Sequence, residues 1–534
     1  MEVSRILPPS GLFMSNHDPK ANVHGTTIPI PFAHSKTKTL IKPTNKRHLP
    51  PINPIRLHAL DLIMPAIIVN LPLVFKIKPP APGSAGIENG LQGQTVEGAQ
   101  NVLNAISGKD NHSQSFGERF YSIVDKLKAS LAEALEFYPP VAGTLHNSPD
   151  GQIIVCNGQG ATLMTEVQDR PYVEAEHILD DLSGTGVFPK SDSQPPFAAK
   201  LTLFSCGTVV MVTGLHHWVA DLTSYMDFLH TWALLSRGED LVVPGTWSRN
   251  LNAAVSSSTA PSSVPGLMVL PPSSGPPPMP ALRFGDGLRW SISEENLSKL
   301  KLDCMAVFNH DGLSDKWISS ADAFTALVWG AMTRARHEIS TKISLFTSND
   351  AELESLGVAV DGRGYIGLGP SAPAISSGSW GPSPFFGNLN LSLAVYHCRT
   401  DLLEPTLRAT SRVALGIRKT IVDETSPKAI AARIVFLDAQ AEATRPHVHT
   451  RLVLEGDCRS TNWSKYDLAN IDFGLGEDFE RVGTGIGIKS IFPGGMFLIV
   501  KSGGRMVVAT TVEKEADELL RKDPLLTKYC ELLA

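Results

Sequence analysis

The sequence predicts a mixed α/β protein built from two domains. The chain has 534 residues, of which 42% are hydrophobic, and this is ample material for two large cores. Strand-like runs and amphipathic helices occur on both sides of a segment rich in proline and serine. We therefore predict four parts: a poorly ordered or loosely docked N-terminal extension over residues 1–54, a first domain over 55–240, a crossover linker over 241–281 and a second domain over 282–534. A basic arm for an acidic partner is the alternative interpretation of the extension.

Composition argues against several classes of function. The formal net charge is −6, which leaves no basic footprint for nucleic acid. The six cysteines stand singly, without a CxxC pair, so we expect no metal site, no disulfide framework and a reducing compartment such as the cytoplasm. The N-terminus lacks the apolar core of a signal peptide. The apolar run Leu60–Phe75 is interrupted by proline and polar residues, so we predict no membrane span.

The first domain opens with a strand, an insertion, a helix and a hairpin. Ala66–Phe75 reads as a strand, and Lys78–Ser115 is rich in glycine, serine, asparagine and glutamine, which indicates a surface insertion. Apolar residues at helical spacing predict an amphipathic helix over Phe116–Phe137. Two prolines then end the helix and the chain turns into a strand. A Pro-Asp-Gly turn precedes the predicted return strand Gln152–Cys156.

A histidine lies where a predicted strand gives way to a predicted helix. Leu201–Gly214 is β-branched and almost free of charge, as expected of a buried strand. From Leu222 onward, apolar residues recur at helical spacing as far as Arg237, which predicts a helix. His217 lies between them, and its side chain has an unperturbed pKa suited to proton abstraction near neutrality. A histidine beside an apolar strand also commonly serves as a hydrogen-bonded core residue, so its position alone leaves both roles open.

The segment between the domains has the composition of a linker. Residues 241–280 are dominated by proline, serine and small residues. Proline removes backbone donors, so we expect no core element in this stretch. A proline-rich ligand for a recognition module is the alternative interpretation.

The second domain repeats the alternation of strands and helices. We predict strands over Leu282–Ile292, Ser344–Asp350 and Leu389–Tyr396. We predict helices over Ser293–Leu302 and Ser319–Arg336, the first with a serine cap and an acidic first turn. The polar loops between these elements are expected to face the first domain, because an active site between domains needs residues from both.

Two segments together resemble one enzyme family. FSCGTVVMVTGLHHWVADLTSYMDFLHTWALLSRG and the earlier FYPPVAGTL resemble the corresponding parts of the BAHD acyltransferases, plant and fungal enzymes that move an acyl group from coenzyme A to an alcohol or amine. The family's HHxxxDG becomes HHWVADL, with Leu222 in place of the usual glycine. The resemblance implies two similar chloramphenicol-acetyltransferase-like domains, each a mixed β-sheet flanked by helices, joined by a long crossover.

The resemblance also implies roles for residues of both domains. His217 is expected to act as the general base. Asp221 is expected to orient the loop by pairing with Arg363 of the DGR segment; a solvated Arg363 is the alternative. The segment TNW matches the family's TSW, which implies a substrate-binding role for Thr461 and a role for Trp463 as a donor to the oxyanion. Core packing is the alternative for this tryptophan.

A second family motif lies near the C-terminus. DFGLG matches the family's DFGWG, with Leu475 in place of tryptophan. The resemblance implies a structural role for Asp472, Gly474 and Gly476, which would shape the coenzyme A channel from a distance. A kinase-type DFG is excluded because no glycine-rich loop, VAIK lysine or HRD motif accompanies it.

These observations predict an acyl-CoA-dependent O-acyltransferase of secondary metabolism. It would use acyl-CoA as co-substrate, hold no permanent cofactor and pass the acyl group directly to a hydroxyl or amine of a small natural-product acceptor. No GxSxG nucleophile elbow is present to support an acyl-enzyme. We expect a monomer, of the fungal rather than the plant type. Two alternatives stay open: a condensation-domain-like enzyme acting on carrier-protein thioesters, and a non-catalytic binding relative.

Overall fold

The computed structural model describes residues 36–44, 52–78, 111–148, 151–173, 195–239, 251, 260–269, 287–343, 353–369, 385–440, 448–450, 458–466, 468, 471–476, 479–483, 494–502 and 504–533. In the first half the elements are β1 (Lys36–Ile41), β2 (Ile55–Arg56), α1 (Ala59–Leu62), β3 (Ile68–Ile77), α2 (Asn111–Phe137), β4 (Thr144–Ser148), β5 (Gly151–Val155), β6 (Ala161–Gln168), β7 (Phe197–Phe204), β8 (Thr208–His216) and α3 (Leu222–Ser236). In the second half they are β9 (Leu267–Val269), β10 (Leu288–Ile292), α4 (Glu294–His310), α5 (Ser320–Ile343), β11 (Leu353–Val358), β12 (Leu393–Cys398), α6 (Arg399–Leu403), α7 (Leu407–Glu424), α8 (Pro427–Asp438), β13 (Val448–Thr450), β14 (Cys458–Asn462), β15 (Phe479–Gly483), β16 (Met496–Ser502), β17 (Arg505–Thr511), α9 (Asp517–Arg521), α10 (Pro524–Tyr529) and β18 (Glu531–Leu532).

Two mixed sheets organise the chain, which confirms the predicted fold class. The first sheet has the order β1-β6-β7-β8-β3-β15, and the second has the order β12-β11-β14-β16-β17-β10-β18. Within the first sheet β6 and β7 are parallel, and within the second β14 is parallel to both β11 and β16. The remaining neighbours in both sheets are antiparallel.

The first core lies between its sheet and the helices α2 and α3. Phe120 and Leu131 of α2 and Phe228 of α3 are completely buried in it. Trp232 packs in the same cluster, and its indole N–H donates to the Leu127 carbonyl oxygen over 3.2 Å. This packing fixes α3, and therefore the loop that precedes α3, against the sheet.

The second half contributes to the first sheet. Strand β15 pairs antiparallel with β3, so that Phe479 lies opposite Ile77 and Arg481 opposite Phe75. Buried residues from the same part of the chain, such as Phe473, also belong to the first core. The first sheet and the first core are therefore built from both halves. The division of the chain into four parts by residue number stays a prediction.

Three sequence-based expectations need correction. The first concerns Leu201–Gly214, for which the sequence predicts one strand. The structure has β7 and β8 joined by a tight turn, in which Gly207 has a φ of +78° and donates its N–H to Phe204 over 2.9 Å. Both strands are buried on both faces. Their sequence therefore reads as one continuous apolar run, and only the glycine marks the turn.

The second correction concerns the predicted N-terminal extension. Lys36–Ile41 forms β1, an ordered edge strand paired with β6. Thr37 and Thr39 supply the β-branched residues that favour a strand, and the Lys36 ammonium lies 2.9 Å from the carboxylate of Glu166. A poorly ordered extension over residues 1–54 is thus wrong for 36–41. Residues 1–35 lie outside the described part of the chain.

The third correction concerns the linker. Leu267–Val269 forms β9 and pairs with β13, and Leu251, Val264 and Leu267 are buried in a third hydrophobic cluster together with residues of α8. A short apolar run within the proline-rich composition is sufficient for this docking. The expectation of no core element is therefore wrong for these residues. Most of 241–281 lies outside the described residues.

Several element boundaries also differ from the prediction. Helix α2 begins at Asn111 rather than at 116, α4 continues to His310, and α5 continues to Ile343. The strand predicted over 344–350 lies outside the described residues. The strand predicted from Leu389 begins instead at Leu393, because the backbone before it bonds to the candidate site.

Candidate active site

His217 follows the last residue of β8 and precedes α3. Its backbone N–H donates to the Ile67 carbonyl oxygen over 2.8 Å, which continues the contact of β8 with β3. Asp221 is the N-cap of α3, and its side chain accepts from the Ser224 N–H over 3.1 Å. Leu222 is the first residue of α3. The leucine that replaces the family's glycine is therefore accommodated in a regular, capped helix start.

The ring of His217 is held by an asparagine from the second half. Nδ1 of His217 lies 3.2 Å from Oδ1 of Asn388, a fully buried residue. The Asn388 amide nitrogen donates to the Asp61 carboxylate over 2.9 Å and to the His217 carbonyl oxygen over 2.7 Å. Both of those partners are acceptors only, so the amide oxygen must face the ring. Nδ1 therefore carries the proton and Nε2 has its lone pair free.

The protonation state of His217 follows from its surroundings. Burial lowers the pKa of His217, while its hydrogen bonds and the carboxylates of Asp221 and Asp61 oppose that shift. The net direction is downward, so the imidazole is neutral at neutral pH. A neutral imidazole with an unprotonated Nε2 is the form that can accept a proton.

Asp221 and Arg363 form a bidentate ion pair. Nη1 of Arg363 lies 2.8 Å from one carboxylate oxygen of Asp221, and Nη2 lies 2.9 Å from the other. Arg363 is completely buried, and Nη2 also donates to Ser224 and to the Gly387 carbonyl oxygen. Burial works against the charged form, but the carboxylates of Asp221 and Asp361 raise the pKa of Arg363. Asp221 thus points toward the arginine and the loop.

Asp221 also binds the backbone of the loop that carries Asn388. Its carboxylate accepts the Leu389 N–H over 2.8 Å, and its own N–H donates to Gly387 over 3.3 Å. These bonds replace the strand ladder that the sequence predicts for Leu389. The ion pair is therefore bonded to the loop whose Asn388 contacts the imidazole.

A third set of hydrogen bonds joins the TNW loop to α3. The Thr223 hydroxyl donates to the Asp361 carboxylate over 2.9 Å and contacts the Tyr466 hydroxyl. Because the proton of Thr223 is directed to the carboxylate, Tyr466 is the donor in the second contact. Burial raises the pKa of Tyr466, which keeps this donor protonated. The Tyr466 N–H also donates to the Trp463 carbonyl oxygen over 2.9 Å.

Thr461 and Trp463 are bonded to each other at the end of β14. The indole N–H of Trp463 donates to Oγ1 of Thr461 over 3.0 Å. The ring is partly buried against the first core. In this arrangement the indole proton is engaged by the threonine, and the hydroxyl proton of Thr461 remains to be directed elsewhere.

The DFGLG segment packs on the helices that support the site. Phe473 contacts the ring of Trp232 edge-to-face at 5.1 Å, and its carbonyl oxygen accepts from the Ser236 hydroxyl over 2.8 Å. The side chain of Asp472 accepts the Gly474 N–H over 2.7 Å. Gly474 has a φ of +60°, and a Cβ there would lie 2.6 Å from a side-chain carbon of Arg237. Gly476 also has a positive φ, +92°. The segment is therefore a tight turn at the C-terminal end of α3.

Sequence reasoning missed Asn388, Asp61, Ser224 and Tyr466 as site residues. Asn388 lies in one of the polar loops expected to face the first domain. Asp61 lies in the interrupted apolar run Leu60–Phe75. One local signal existed for Asp61: it lies three residues after His58, in a capping-box arrangement at the start of α1. Nothing local distinguishes Asn388 from other loop asparagines.

Comparison with known proteins identifies the family. The Transferase family, which is the family of the BAHD acyltransferases, matches residues 113–517. The chain belongs to this family. Its members are acyl-CoA-dependent acyltransferases, so this BAHD protein is an enzyme of that class and coenzyme A is its co-substrate. The resemblance inferred from the sequence motifs is thereby confirmed.

Individual relatives support the assignment. This BAHD enzyme is 24% identical over 412 residues to a hydroxycinnamoyltransferase of Narcissus pseudonarcissus, which corresponds to 75% of this chain and 86% of the relative. Its fold is similar to that of F. sporotrichioides TRI101, solved with coenzyme A and T-2, at 17% identity and a TM-score of 0.62, with 90% of this chain and 100% of the other covered. It is also similar in fold to vinorine synthase, at 15% identity and a TM-score of 0.55, with 91% and 96% covered.

Two further properties concern the described residues alone. Among them, no group of three histidine, cysteine, aspartate or glutamate side chains is arranged to hold a metal ion. No helix within the described ranges combines the length and the apolar character needed to cross a membrane.

Proposed function

We propose that this enzyme transfers an acyl group from acyl-CoA to a hydroxyl, or an amine, of a small natural-product acceptor, with His217 as the general base. The observation that carries the proposal is the ring of His217, whose Nδ1 proton is directed to Asn388 so that Nε2 can accept. The lowered pKa of His217 supports the same role, because a base must be unprotonated at working pH.

The proposed chemistry is a direct transfer. Nε2 of His217 takes the acceptor's proton as the acceptor oxygen or nitrogen attacks the carbonyl carbon of the thioester. The carbonyl π electrons move to oxygen and form a tetrahedral oxyanion. When this collapses, the carbon–sulfur bond breaks and the coenzyme A thiolate takes the proton back from His217. Both substrates are bound together, so positioning and one base are sufficient.

Binding of the oxyanion is assigned to the TNW loop. The hydrogen bond from Trp463 to Thr461 supports a division of labour in which the indole orients the threonine. The Thr461 hydroxyl then donates its own proton to the developing negative charge. This assignment refines the expectation that the indole itself is the donor.

Asp221 and Arg363 are proposed to hold the site together. Their buried, bidentate pair ties the start of α3 to the loop of residues 385–389. Loss of Arg363 would leave the buried carboxylate of Asp221 without its countercharge. Asp472, Gly474 and Gly476 are proposed to act from further away, by fixing the turn against α3.

We further propose that the enzyme works as a monomer in the cytoplasm. All six cysteines are free thiols, which supports a reducing compartment. Membership of the acyl-CoA-dependent acyltransferases does not depend on the oligomeric state or the compartment.

The decisive experiment combines the purified protein with acetyl-CoA or aromatic acyl-CoAs and a panel of hydroxylated and amine acceptors. We expect release of free thiol that depends on the acceptor, together with an acylated product detected by mass spectrometry. Thiol release without an acylated product would indicate hydrolysis and would contradict acyl transfer. Transfer from carrier-bound thioesters alone would favour the condensation-type alternative.

A further inference from the structure

Asp61 is a buried carboxylate with more partners than helix capping requires. It is 1% exposed. One oxygen accepts the His58 N–H over 2.7 Å, which is the capping-box bond of α1. The other oxygen accepts both the backbone N–H of Asn388, over 3.0 Å, and its amide nitrogen, over 2.9 Å. One oxygen of this carboxylate therefore binds Asn388, a residue from the second half of the chain.

The bonds from Asn388 to Asp61 affect which ring nitrogen of His217 carries the proton. An asparagine amide is nearly symmetric in shape, so its orientation depends on its partners. Because a carboxylate can only accept, the Asn388 nitrogen must face Asp61 and the oxygen must face Nδ1 of His217. Reversal of the amide would present an N–H to Nδ1, which would then have to be unprotonated.

We propose that Asp61 is a positioning residue for the reaction, because together with the His217 carbonyl oxygen it fixes the amide of Asn388 and so the tautomer of His217. The inference rests on the proposed role of His217 as base. A reversed amide would transfer the ring proton to Nε2, and the nitrogen that takes the acceptor's proton would be blocked. Asp61 therefore acts through Asn388 and touches neither substrate.

The chain contains a matched control for this carboxylate. Asp322 is 2% exposed and also completes a capping box with Ser319, at the start of α5. It accepts from the N–H and hydroxyl of Ser319 over 2.7 and 2.8 Å and is paired with Arg418. Asp322→Asn therefore disturbs a similar buried cap in the second core. A role for Asp61 that is limited to capping α1 would make the two substitutions equivalent.

The sharpest test exchanges the carboxylate and the amide. Asp61→Asn alone removes the carboxylate and leaves only the His217 carbonyl oxygen to hold the Asn388 amide, so reversal of the amide costs less free energy. Asn388→Asp alone places two carboxylates together. The double variant keeps an acceptor for Nδ1 and supplies a donor to the side chain at position 388. It loses the bond to the His217 carbonyl oxygen and the acceptor for the backbone N–H of residue 388. These three variants and Asp322→Asn are compared by kcat, KM for acyl-CoA and thermal midpoint.

We expect Asp61→Asn to lower kcat about 100-fold with little change in KM, since general-base catalysis contributes about 10²–10⁴-fold. Asp322→Asn should retain kcat within about 3-fold at a similar loss of thermal stability. The kcat of the double variant should be at least about 10-fold higher than that of either Asn388→Asp or Asp61→Asn.

Two results would overturn the proposal. One is equal kcat in Asp61→Asn and Asp322→Asn, and the other is a double variant no more active than either single. If Asp61→Asn does not fold, the comparison of Asn388→Asp with the double variant still decides. Full activity of His217→Ala would instead remove the proposed function itself, so the two failures are distinguishable.

Discussion

Two adjacent histidines adopt opposite tautomers at the end of β8. Nδ1 of His216 accepts the Trp218 N–H over 3.2 Å, so the proton of that ring is on Nε2. Nδ1 of His217 lies 3.2 Å from the amide oxygen of Asn388, so its proton is on Nδ1. Burial lowers the pKa of both, that of His216 from 6.5 to about 4. Both rings are neutral, but only His217 has Nε2 free to act as a base.

This difference shows that residue type and burial do not define a base. Both imidazoles lie at the end of β8, and both are neutral. They differ in one partner each, a backbone N–H from the same turn for His216 and an amide from the other half of the chain for His217. Hydrogen-bond direction therefore separates a candidate catalytic histidine from a structural one.

The largest effect should come from substitution of the two histidines in turn. His217→Ala removes the proposed base and should lower kcat about 10³-fold, within the range for general-base catalysis. His216→Ala should retain kcat within about 3-fold, because its Nε2 carries a proton and cannot accept another. The measurement is steady-state thiol release with a saturating acceptor. Equal loss in both variants would remove the distinction between the rings.

The oxyanion side of the site should give the next effect. Thr461→Val keeps the shape of the side chain but removes the hydroxyl, and it should lower kcat by about 10²-fold, as loss of one oxyanion donor does elsewhere. Trp463→Phe should cost less if the indole only orients that hydroxyl. The ratio of kcat values in the two variants measures this division. A larger loss for Trp463→Phe would make the indole the direct donor.

Two buried arginines allow a similar comparison, between one beside the site and one away from it. Arg363 binds Asp221 beside the site, and Arg336 binds Glu513 with both distances at 2.9 Å in the second half. Lysine at either position keeps the charge but loses the bidentate geometry. Both variants should melt at lower temperature. Only Arg363→Lys should also lower kcat in the folded enzyme, by up to about 10²-fold through misplacement of the loop.

A matching loss of kcat in Arg336→Lys would contradict a specific role for the Asp221 pair. Circular dichroism of each purified variant, recorded at the assay temperature, ensures that only folded enzyme is compared.

The smallest effect concerns acid pH. A base with a lowered pKa stays unprotonated below the ordinary histidine value of 6.5, so kcat/KM should persist on the acidic side and fall only as pH passes through the lowered value. The free energy of unfolding should also decrease as the pH falls. The unfolded chain binds protons on His216 near 6.5 and the folded chain only near 4, so stability is lost as pH falls through this window. His216→Gln should reduce that loss in denaturant titrations. An acid limb of kcat/KM at or above 6.5 would contradict the neutral, buried ring.

Part of this architecture could be predicted from sequence. Apolar periodicity located α2, α3 and α5, and the resemblance supplied the partnership of Asp221 with Arg363. The alternation of apolar residues indicates a strand but not its neighbour, so β15 could not be assigned to the first sheet. The turn at Gly207 was hidden because both flanking strands are buried on both faces.

The orientation of His217 was beyond sequence reasoning for a different reason. Asp61 and Asn388 are separated by 327 residues, and their contact exists only once both halves have folded. A tautomer is a property of hydrogen-bond direction, which no residue pattern records. The sequence could therefore propose a base but could not explain why Nε2 is unprotonated in His217 and protonated in His216.

The most direct test is the protonation of the two rings in solution. Protein labelled with nitrogen isotopes in histidine alone would give ring-nitrogen resonances, assigned by difference with His216→Gln and His217→Gln. At neutral pH we predict a protonated Nδ1 and a bare Nε2 for His217, and the reverse for His216. A proton on Nε2 of His217 in the free enzyme would contradict its role as the base.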